Sequence, residues 1–339
     1  MNHNMKKIMK RNSLFFTKPK KIKIKKEKIS HPAKQQVLIR TMFSSISAGT
    51  EMLFYTNQIH KGITVDEKIP ILKTPFKYPL KYGYSVVGKI ISLGENVPKE
   101  LLDTLVFVFH PHEDYFLSTI DELIIIPDDI KPIEATFLAS VETAVGLVMD
   151  GGPIIGENIL VYGQGIIGLL TTNLLSLYPL NSLITVEKHP LRRKKSCELG
   201  AHKSIQPNEK IFKYFKEGAD LVYELSGNPK ALDSALKSTK YNGRIIIGSC
   251  YGRKKTTLSL DEGFHRSRIQ IKSSQVSTIS PLFLGRWDKA RRIDLCWKLI
   301  RQIKPKLLIS HIIPFKKASK AYETLDKHPE KTLQIILKY

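Results

Sequence analysis

The sequence predicts an α/β protein in two parts: a β-rich first domain, then a domain built on a doubly wound parallel sheet. Three observations carry that prediction. Apolar residues change from short β-like runs to helical spacing near residue 130. Beyond that point strands and helices alternate, and the strands are apolar along their length, as strands covered on both faces are. At the start of this alternation lies "VYGQGIIGLL" (161–170), a glycine-rich turn between a strand and a helix. With 339 residues the chain is also too long for one ordinary core.

The elements follow in order. Within "SLFFTKPKKIKIKKEKI" (13–29), Leu14–Thr17 reads as a strand, Pro19 starts a turn, and Ile22, Ile24 and Ile29 mark a second, lysine-flanked strand. Residues 1–12 are left as a basic tail, and the first domain is expected over 13–132. Its further strands are "QVLIRTMFSSIS" (36–47), "YGYSVVGKIISLG" (82–94), "TLVFVF" (104–109) and "ELIIIP" (122–127), short apolar runs between Gly, Pro and Asn. The segment 56–81 has no clean period and reads as a long loop of the kind that shapes a binding pocket. After Pro132, "IEATFLASVETAVGLVMDGG" (133–152) reads as one helix closed by glycines. Strands are expected at 158–162, 182–187, 203–205, 220–225, 243–249 and 268–274, and helices at 166–178, 190–199, 208–217 and 229–240. The second domain is placed over 133–275, followed by a return segment, 276–339.

Composition narrows the function classes. The chain is 42% hydrophobic and 25% charged, a soluble globular balance. No apolar run approaches the roughly 20 residues that span a bilayer. The net charge is +23, and the first 30 residues hold eleven Lys and Arg against one acid, Glu27. No helix-turn-helix, zinc-finger or RNA-binding signature accompanies that charge, so the lysines read as solvated and nucleic acid is not an expected partner. The basic start lacks the apolar core of a secretory signal, and the expected location is cytoplasmic. Cys197, Cys250 and Cys296 are too few and too scattered for a disulfide framework.

Gly163, Gly165 and Gly168 form the GxGxxG pattern, with Ile166 and Ile167 opening the helix. The first glycine permits the turn, the second admits a pyrophosphate to the backbone, and the third lets helix and sheet approach. The helix N-terminus offers N–H groups and positive potential to phosphates. Glu187 ends the next strand, 24 residues after Gly163, where an acid accepts hydrogen bonds from the ribose hydroxyls of NAD. Lys188, His189, Arg192 and Arg193 follow at once and suit a 2′-phosphate, so NAD is favoured and NADP stays open.

This order of parts resembles the medium-chain dehydrogenase/reductase superfamily, the zinc-type alcohol dehydrogenases and their relatives. "GYSVVGKIISLGENV", "DTLVFVF", "ADLVYELSGNPKALDSALKSTKYNGRIIIGS" and "ISHIIPFKKASKAYETLDKHPEKTLQIILKY" are similar to stretches of that family, and the likeness runs over nearly the whole chain. It implies a GroES-like catalytic domain completed by the closing segment, a Rossmann domain, a substrate cleft between them, and a homodimer through the sixth strand.

The departures concern zinc. "SISAGTE" puts Ala48 where zinc members carry a ligand cysteine, Tyr84 replaces the ligand histidine, and Ser85 replaces the acid after it. The third ligand position aligns with Ala139, with Glu142 close by. The four-cysteine structural lobe is missing. No zinc is therefore expected at either place. His110 and His112, with Glu113 and Asp114, form an H-x-H cluster interrupted by Pro111, read as polar residues lining a loop near the cleft.

Without zinc the candidates for handling the substrate oxygen are hydroxyls. Thr50 matches the family's Ser/Thr that passes a proton to water. Tyr84 is either a phenol donor or an aromatic packing residue. Glu51 orders the local backbone or acts as a base. Thr143 resembles the residue that packs against the nicotinamide, and Phe109 sits on the pocket strand. The segment 264–292 gathers His265, Arg266, Arg268, Lys272, Gln275, Arg286 and Arg291, either an anion site for a carboxylate or phosphate substrate or a solvated, interfacial surface. The resulting expectation is a zinc-independent NAD(P)-dependent oxidoreductase acting on an alcohol or carbonyl small molecule. Two alternatives remain: an NADPH-dependent quinone or enone reductase, and a nucleotide-binding protein without catalysis.

Overall fold

The structure, a computed structural model, describes residues 9–339. The chain divides into two compact units, one holding the residues up to Leu138 together with Lys304–Tyr339, the other Ala139–Ile303. Residues 1–8 of the expected tail lie outside the described residues. Its last four, 9–12, are not tail: strand β1 (Met9–Lys18) pairs with β2 (Lys21–Ile29) from Met9↔Ile29 onward. Lys20, with φ 57°, turns the chain between them. Ile22 and Ile24 of β2 pack on the core while Lys21, Lys23 and Lys25 stay exposed, the period-two alternation that makes this lysine-rich run a strand.

β3 (Gln36–Ser45) is the central strand of the first unit, followed by the short helix α1 (Glu51–Tyr55). The expected loop 56–81 is largely irregular, but contains a 3-10 turn at Pro70–Leu72 and ends in β4 (Leu80–Lys81). β5 (Val86–Leu93), β6 (Leu105–Val108) and β8 (Ile124–Ile125) fall within the expected runs. β7 (Tyr115–Thr119) is an additional strand, paired with β3, that the polar sequence around it concealed.

The helix expected over 133–152 is two helices, α2 (Pro132–Ala135) and α3 (Leu138–Gly151). The break has a tertiary cause. The carbonyl of Thr136 accepts hydrogen bonds from the hydroxyls of Ser45 at 3.0 Å and Ser85 at 2.7 Å, which draws it away from the helical ladder.

In the second unit β9 (Asn158–Tyr162), α4 (Ile166–Leu175), β10 (Ser182–Val186), α5 (Pro190–Glu198), β11 (Lys203–Ile205), β12 (Ala219–Glu224), α6 (Pro229–Lys237), β13 (Thr239–Ile247), α7 (Glu262–Arg266) and β14 (Gln270–Ser273) follow one another. The helix expected at 208–217 is a single 3-10 turn, Ile211–Lys213. That segment buries only Ile211 and Phe215, too narrow an apolar stripe to stabilise a helix against the sheet. The strands form one parallel sheet in the order β11-β10-β9-β12-β13-β14. The strand order reverses at β9, so the glycine turn that follows β9 stands at the topological switch point.

Residues 276–303, expected in the return segment, belong to the second unit instead and include α8 (Lys289–Ile303). The buried pair Arg292–Glu142, at 2.6 Å, ties α8 to α3. The chain returns to the first unit only from Lys304, through β15 (Ile309–Pro314), α9 (Ala318–Lys327) and β16 (Gln334–Lys338). β16 pairs antiparallel with β3, and the sheet reads β15-β16-β3-β5-β6-β8. Among the described residues no helix is long and apolar enough to cross a membrane.

Candidate active site

The turn after β9 is built by three glycines with three different jobs. Gly163 has φ +88°, and a Cβ there would stand 2.6 Å from the Cα of Ser226, so both its conformation and its neighbour exclude a side chain. A Cβ on Gly168 would stand 2.0 Å from the carbonyl oxygen of Gly163, which lets α4 start against the turn. A Cβ on Gly165 would meet nothing within 4 Å. Gly165 is the N-cap of α4 and no side chain caps the helix, so the first-turn N–H groups carry no side-chain cap. This is the geometry of an anion cradle.

Gln164, between the glycines, was not singled out from the sequence. It is buried; its Nε2 donates to the Gly163 carbonyl at 3.1 Å and its Oε1 accepts from the Thr172 hydroxyl at 3.1 Å. Its backbone N–H donates to Glu187 Oε2 at 2.9 Å, and Glu187 Oε1 accepts from the His189 N–H at 2.9 Å. Each carboxylate oxygen therefore carries one backbone donor and retains lone-pair capacity for ribose hydroxyls. Arg193 donates to the carbonyls of Glu187 and Lys188 at 2.9 and 2.8 Å, which stiffens the turn into α5. Burial lowers the Arg192 guanidinium below its usual range, and the nearby Glu187 opposes that shift. Lys188 is exposed.

In the first unit the segment "SAGTE" folds back on itself. The Ser47 N–H donates to Glu51 Oε1 at 2.8 Å and the Glu51 N–H returns to the Ser47 carbonyl at 2.8 Å. The carboxylate of Glu51 is fully buried. Tyr84 donates from its hydroxyl to Ser47 Oγ at 2.5 Å, with Thr50 close by. Its ring packs edge-on against Tyr82 with centroids 6.2 Å apart. Tyr84 is thus a packed aromatic whose hydroxyl is bonded to Ser47. Burial raises the phenol above its ordinary value of 10, with Ser47 and Thr50 pulling the other way. Ser47 was not singled out from the sequence.

His110 and His112 lie in the irregular segment between β6 and β7. Both are buried, His112 completely. His110 stacks on Phe116 with centroids 4.0 Å apart, and burial lowers it to about 4. Glu113 is fully buried and paired with Arg11 and Lys81, each at 2.8 Å, while Asp114 accepts from the N–H and the amide of Asn12.

The donor set does not fit a zinc ion. Ala48 offers no ligand, Ser85 bonds the Thr136 carbonyl, and Ala139 offers none either. Glu142, the nearby acid, is held by Arg292 at 2.6 and 3.0 Å. Among the described residues no three His, Cys, Asp or Glu side chains stand together so as to hold a metal. Thr143 turns its hydroxyl to the Ala139 carbonyl at 2.8 Å, within α3. Phe109 follows β6 and packs edge-on against Phe107.

The basic segment 264–292 is engaged locally. Lys272 pairs with Asp150 at 3.0 Å, Arg266 with Glu262 at 3.6 Å, Gln275 accepts from the Ser277 N–H, and Arg291 lies over the Trp287 ring and donates to the Arg286 carbonyl. His265 and Arg268 are exposed beside them. Of the side chains singled out in this segment, all except the half-buried Lys272 are exposed.

Comparison with known proteins adds a family. Residues 167–290 match the model described as zinc-binding dehydrogenase. D-guloside 3-dehydrogenase of Escherichia coli (strain K12) is 24% identical over 265 residues, 75% of this chain and 76% of that protein. L-threonine 3-dehydrogenase of Pyrococcus horikoshii is 32% identical over 136 residues, 38% of this chain and 39% of that protein. The solved 2R,3R-butanediol dehydrogenase of Bacillus subtilis superposes with a TM-score of 0.80 at 18% identity, covering 97% of this chain and 99% of that one. An Escherichia coli CFT073 protein described as a short chain alcohol dehydrogenase, determined with NADH, superposes at 0.78 with 19% identity over 97% and 99%.

Proposed function

We propose, for a chain that belongs to the medium-chain dehydrogenase/reductase superfamily, an oxidoreductase that moves a hydride between a nicotinamide dinucleotide and an alcohol or carbonyl small molecule without zinc. The observation that carries the reading is the turn 163–168, whose middle glycine faces open space at an uncapped helix start. When bound, the nicotinamide supplies or accepts the hydride. The N–H groups at Ile166 and Ile167 hold the pyrophosphate, and Glu187 accepts from the ribose hydroxyls. Glu187 disfavours a 2′-phosphate, so NAD is the expected form.

At the substrate oxygen the work falls to hydroxyls. The Tyr84 phenol, kept protonated by burial, turns its one O–H to the carbonyl oxygen in reduction, and the Ser47 hydroxyl then donates to the phenol oxygen in place of accepting from it. Thr50, close to Tyr84, passes a proton to or from water. Glu51 holds the turn that presents them. Thr143 is assigned to the nicotinamide contact. The partly buried Arg192 beside Glu187 favours a second reading, NADPH-dependent reduction of a quinone or enone. The sheet-edge strand β14 is the proposed homodimer seam.

One experiment tests these readings together: elemental analysis of the purified protein, titration with NADH and NADPH, and a panel of alcohols, ketones, quinones and enones followed by nicotinamide absorbance. The expected result is no stoichiometric zinc, tighter NADH than NADPH, and turnover of an alcohol–ketone pair. Stoichiometric zinc overturns the metal-free mechanism. Turnover confined to enones or quinones with NADPH establishes the second reading. Nucleotide binding with no turnover on any class leaves a binding protein, and no binding of either nucleotide overturns the proposal altogether.

A further inference from the structure

Tyr84 is held from two directions, and one residue stands behind both. From the side, its hydroxyl rests on Ser47 Oγ, and Ser47 is fixed by its N–H to Glu51 Oε1. From below, its backbone follows Tyr82 and Gly83. His112 touches each support. Its Nε2 lies 3.1 Å from Glu51 Oε2, the carboxylate that fixes Ser47. Its backbone N–H donates to the Tyr82 carbonyl at 3.2 Å. Its ring lies flat against the chain at Gly83: a Cβ there, at φ +115°, would stand 2.6 Å from the imidazole.

The ring itself cannot turn freely. His112 is fully buried, and its Nδ1 lies 2.8 Å from Ser44 Oγ, which in turn lies 3.0 Å from the Tyr339 hydroxyl. An imidazole with its proton on Nε2 satisfies every member. Tyr339 donates to Ser44, Ser44 donates to Nδ1, Nε2–H donates to Glu51, and Tyr322 donates to the same carboxylate oxygen. A buried network in which each donor has an acceptor holds one geometry, whereas a half-satisfied one does not.

The geometry points to His112 as a positioning residue for the Tyr84 hydroxyl, acting through the Glu51 carboxylate and the backbone at Tyr82–Gly83. This rests on the assignment of Tyr84 as the donor to the substrate oxygen. His112 touches no reacting atom. Its contribution is to keep the phenol oxygen in register, and a displacement of about 1 Å at such a group costs up to roughly 100-fold in rate.

Two substitutions separate this role from simple filling of space. In His112→Gln the side-chain amide nitrogen falls near the position of Nε2 and can still donate to Glu51. In His112→Asn it falls near Nδ1, so contact with Ser44 survives and the donor to Glu51 is lost. The readouts are kcat and KM on the substrate found in the panel, and the Cζ resonance of Tyr84 in protein labelled with ¹³C-tyrosine, assigned with Tyr84→Phe. The expected result for His112→Asn is a kcat lower by about 10- to 100-fold, an unchanged KM and NADH affinity, and a displaced Tyr84 resonance. His112→Gln recovers most of the loss and returns the resonance towards its original position. In a Tyr84→Phe background His112→Asn adds no further loss, because the group it positions is gone.

Equal behaviour of the Asn and Gln variants, or an unmoved Tyr84 resonance in the Asn variant, overturns the proposal. If Tyr84→Phe itself costs no activity, the catalytic assignment of Tyr84 fails, and the resonance still decides the positioning role separately. Should His112→Asn fail to fold, Ser44→Ala gives the same decision. It leaves the Nε2–Glu51 bond but frees the far side of the ring, so the Tyr84 resonance is expected to move or broaden, and an unchanged resonance counts against the proposal.

Discussion

Tyr84, which the family resemblance sets in the place of a zinc-ligand histidine, has the chemistry of a weak acid rather than of a metal ligand. Truncation to Phe keeps the edge-on packing on Tyr82 and removes only the hydroxyl. The expected loss in kcat is about 100-fold or more, with little change in folding stability, checked by steady-state kinetics beside thermal melts. The phenol is raised above 10 by burial, so it stays a proton donor through the neutral range. Carbonyl reduction is therefore expected to hold level up to pH 10 and to fall only above it, and a limb near neutrality that vanishes in Tyr84→Phe would contradict this. His110 gives a second residue-level expectation. Burial lowers it from 6.5 to about 4. Between those values the unfolded chain binds the proton and the folded chain does not, so stability is lost as pH falls from 6.5 towards 4, by up to about 3 kcal/mol. Urea midpoints measured across that window should drop in the parent and drop less in His110→Phe. At this scale the sequence was readable where the chemistry is local. Gly163, Gly165, Gly168 and Glu187 lie within one strand–turn–helix–strand unit. His112 was not readable, because its partners Glu51 and Ser44 are 61 and 68 residues away.

In the glycine turn, folding and the proposed binding fall to different positions of one element. Gly165 and Gly168 look equivalent in the pattern, but they meet different surroundings. A side chain at Gly165 enters open space, so Gly165→Val is expected to fold with a near-parental melting temperature while weakening NADH by about 100-fold or more through blocked approach of the pyrophosphate. A Cβ at Gly168 would sit 2.0 Å from the Gly163 carbonyl, a backbone atom that cannot step aside, so Gly168→Ala is expected to destabilise the fold itself by about 1–3 kcal/mol. Calorimetric titration and denaturant unfolding of the two variants check the contrast, and equal stability losses would show that the two positions are not divided in this way. The same distinction explains which elements were legible. Apolar strands bounded by glycines declared themselves, as β9 and β12 did. The break between α2 and α3 did not, because it depends on hydroxyls of Ser45 and Ser85 that capture the Thr136 carbonyl from 91 and 51 residues away. The segment 208–217 had helical composition but only two buried anchors, and tertiary burial rather than propensity decides such short pieces.

Across the whole molecule the two-unit order of the chain was visible in the change of period near residue 130, yet the point of return was misplaced. Residues 276–303 carry no marker of their allegiance. It is set by Arg292, which bonds Glu142 and the carbonyls of Val276 and Thr278 inside the second unit. The same division gives a test of where a dinucleotide acts. The chain carries +23 overall, and the described hairpin β1–β2 is one of its most basic features, so an anionic nucleotide has two places to go: the cradle after β9, or the lysines of the hairpin. Specific binding at the cradle stabilises the native second unit by RT ln(1 + [L]/Kd), about 2.7 kcal/mol at 100 Kd. Amides in β9 and β12 that exchange only through global opening of that unit should then slow by about 100-fold with NADH. Non-specific attraction to the hairpin would leave those amides alone, act on β1 and β2, and fade as added salt screens exposed lysines. Hydrogen exchange with NADH at low and moderate salt distinguishes them. Protection confined to β1 and β2, and lost with salt, would mean that the charge and not the glycine turn is what this molecule offers a nucleotide.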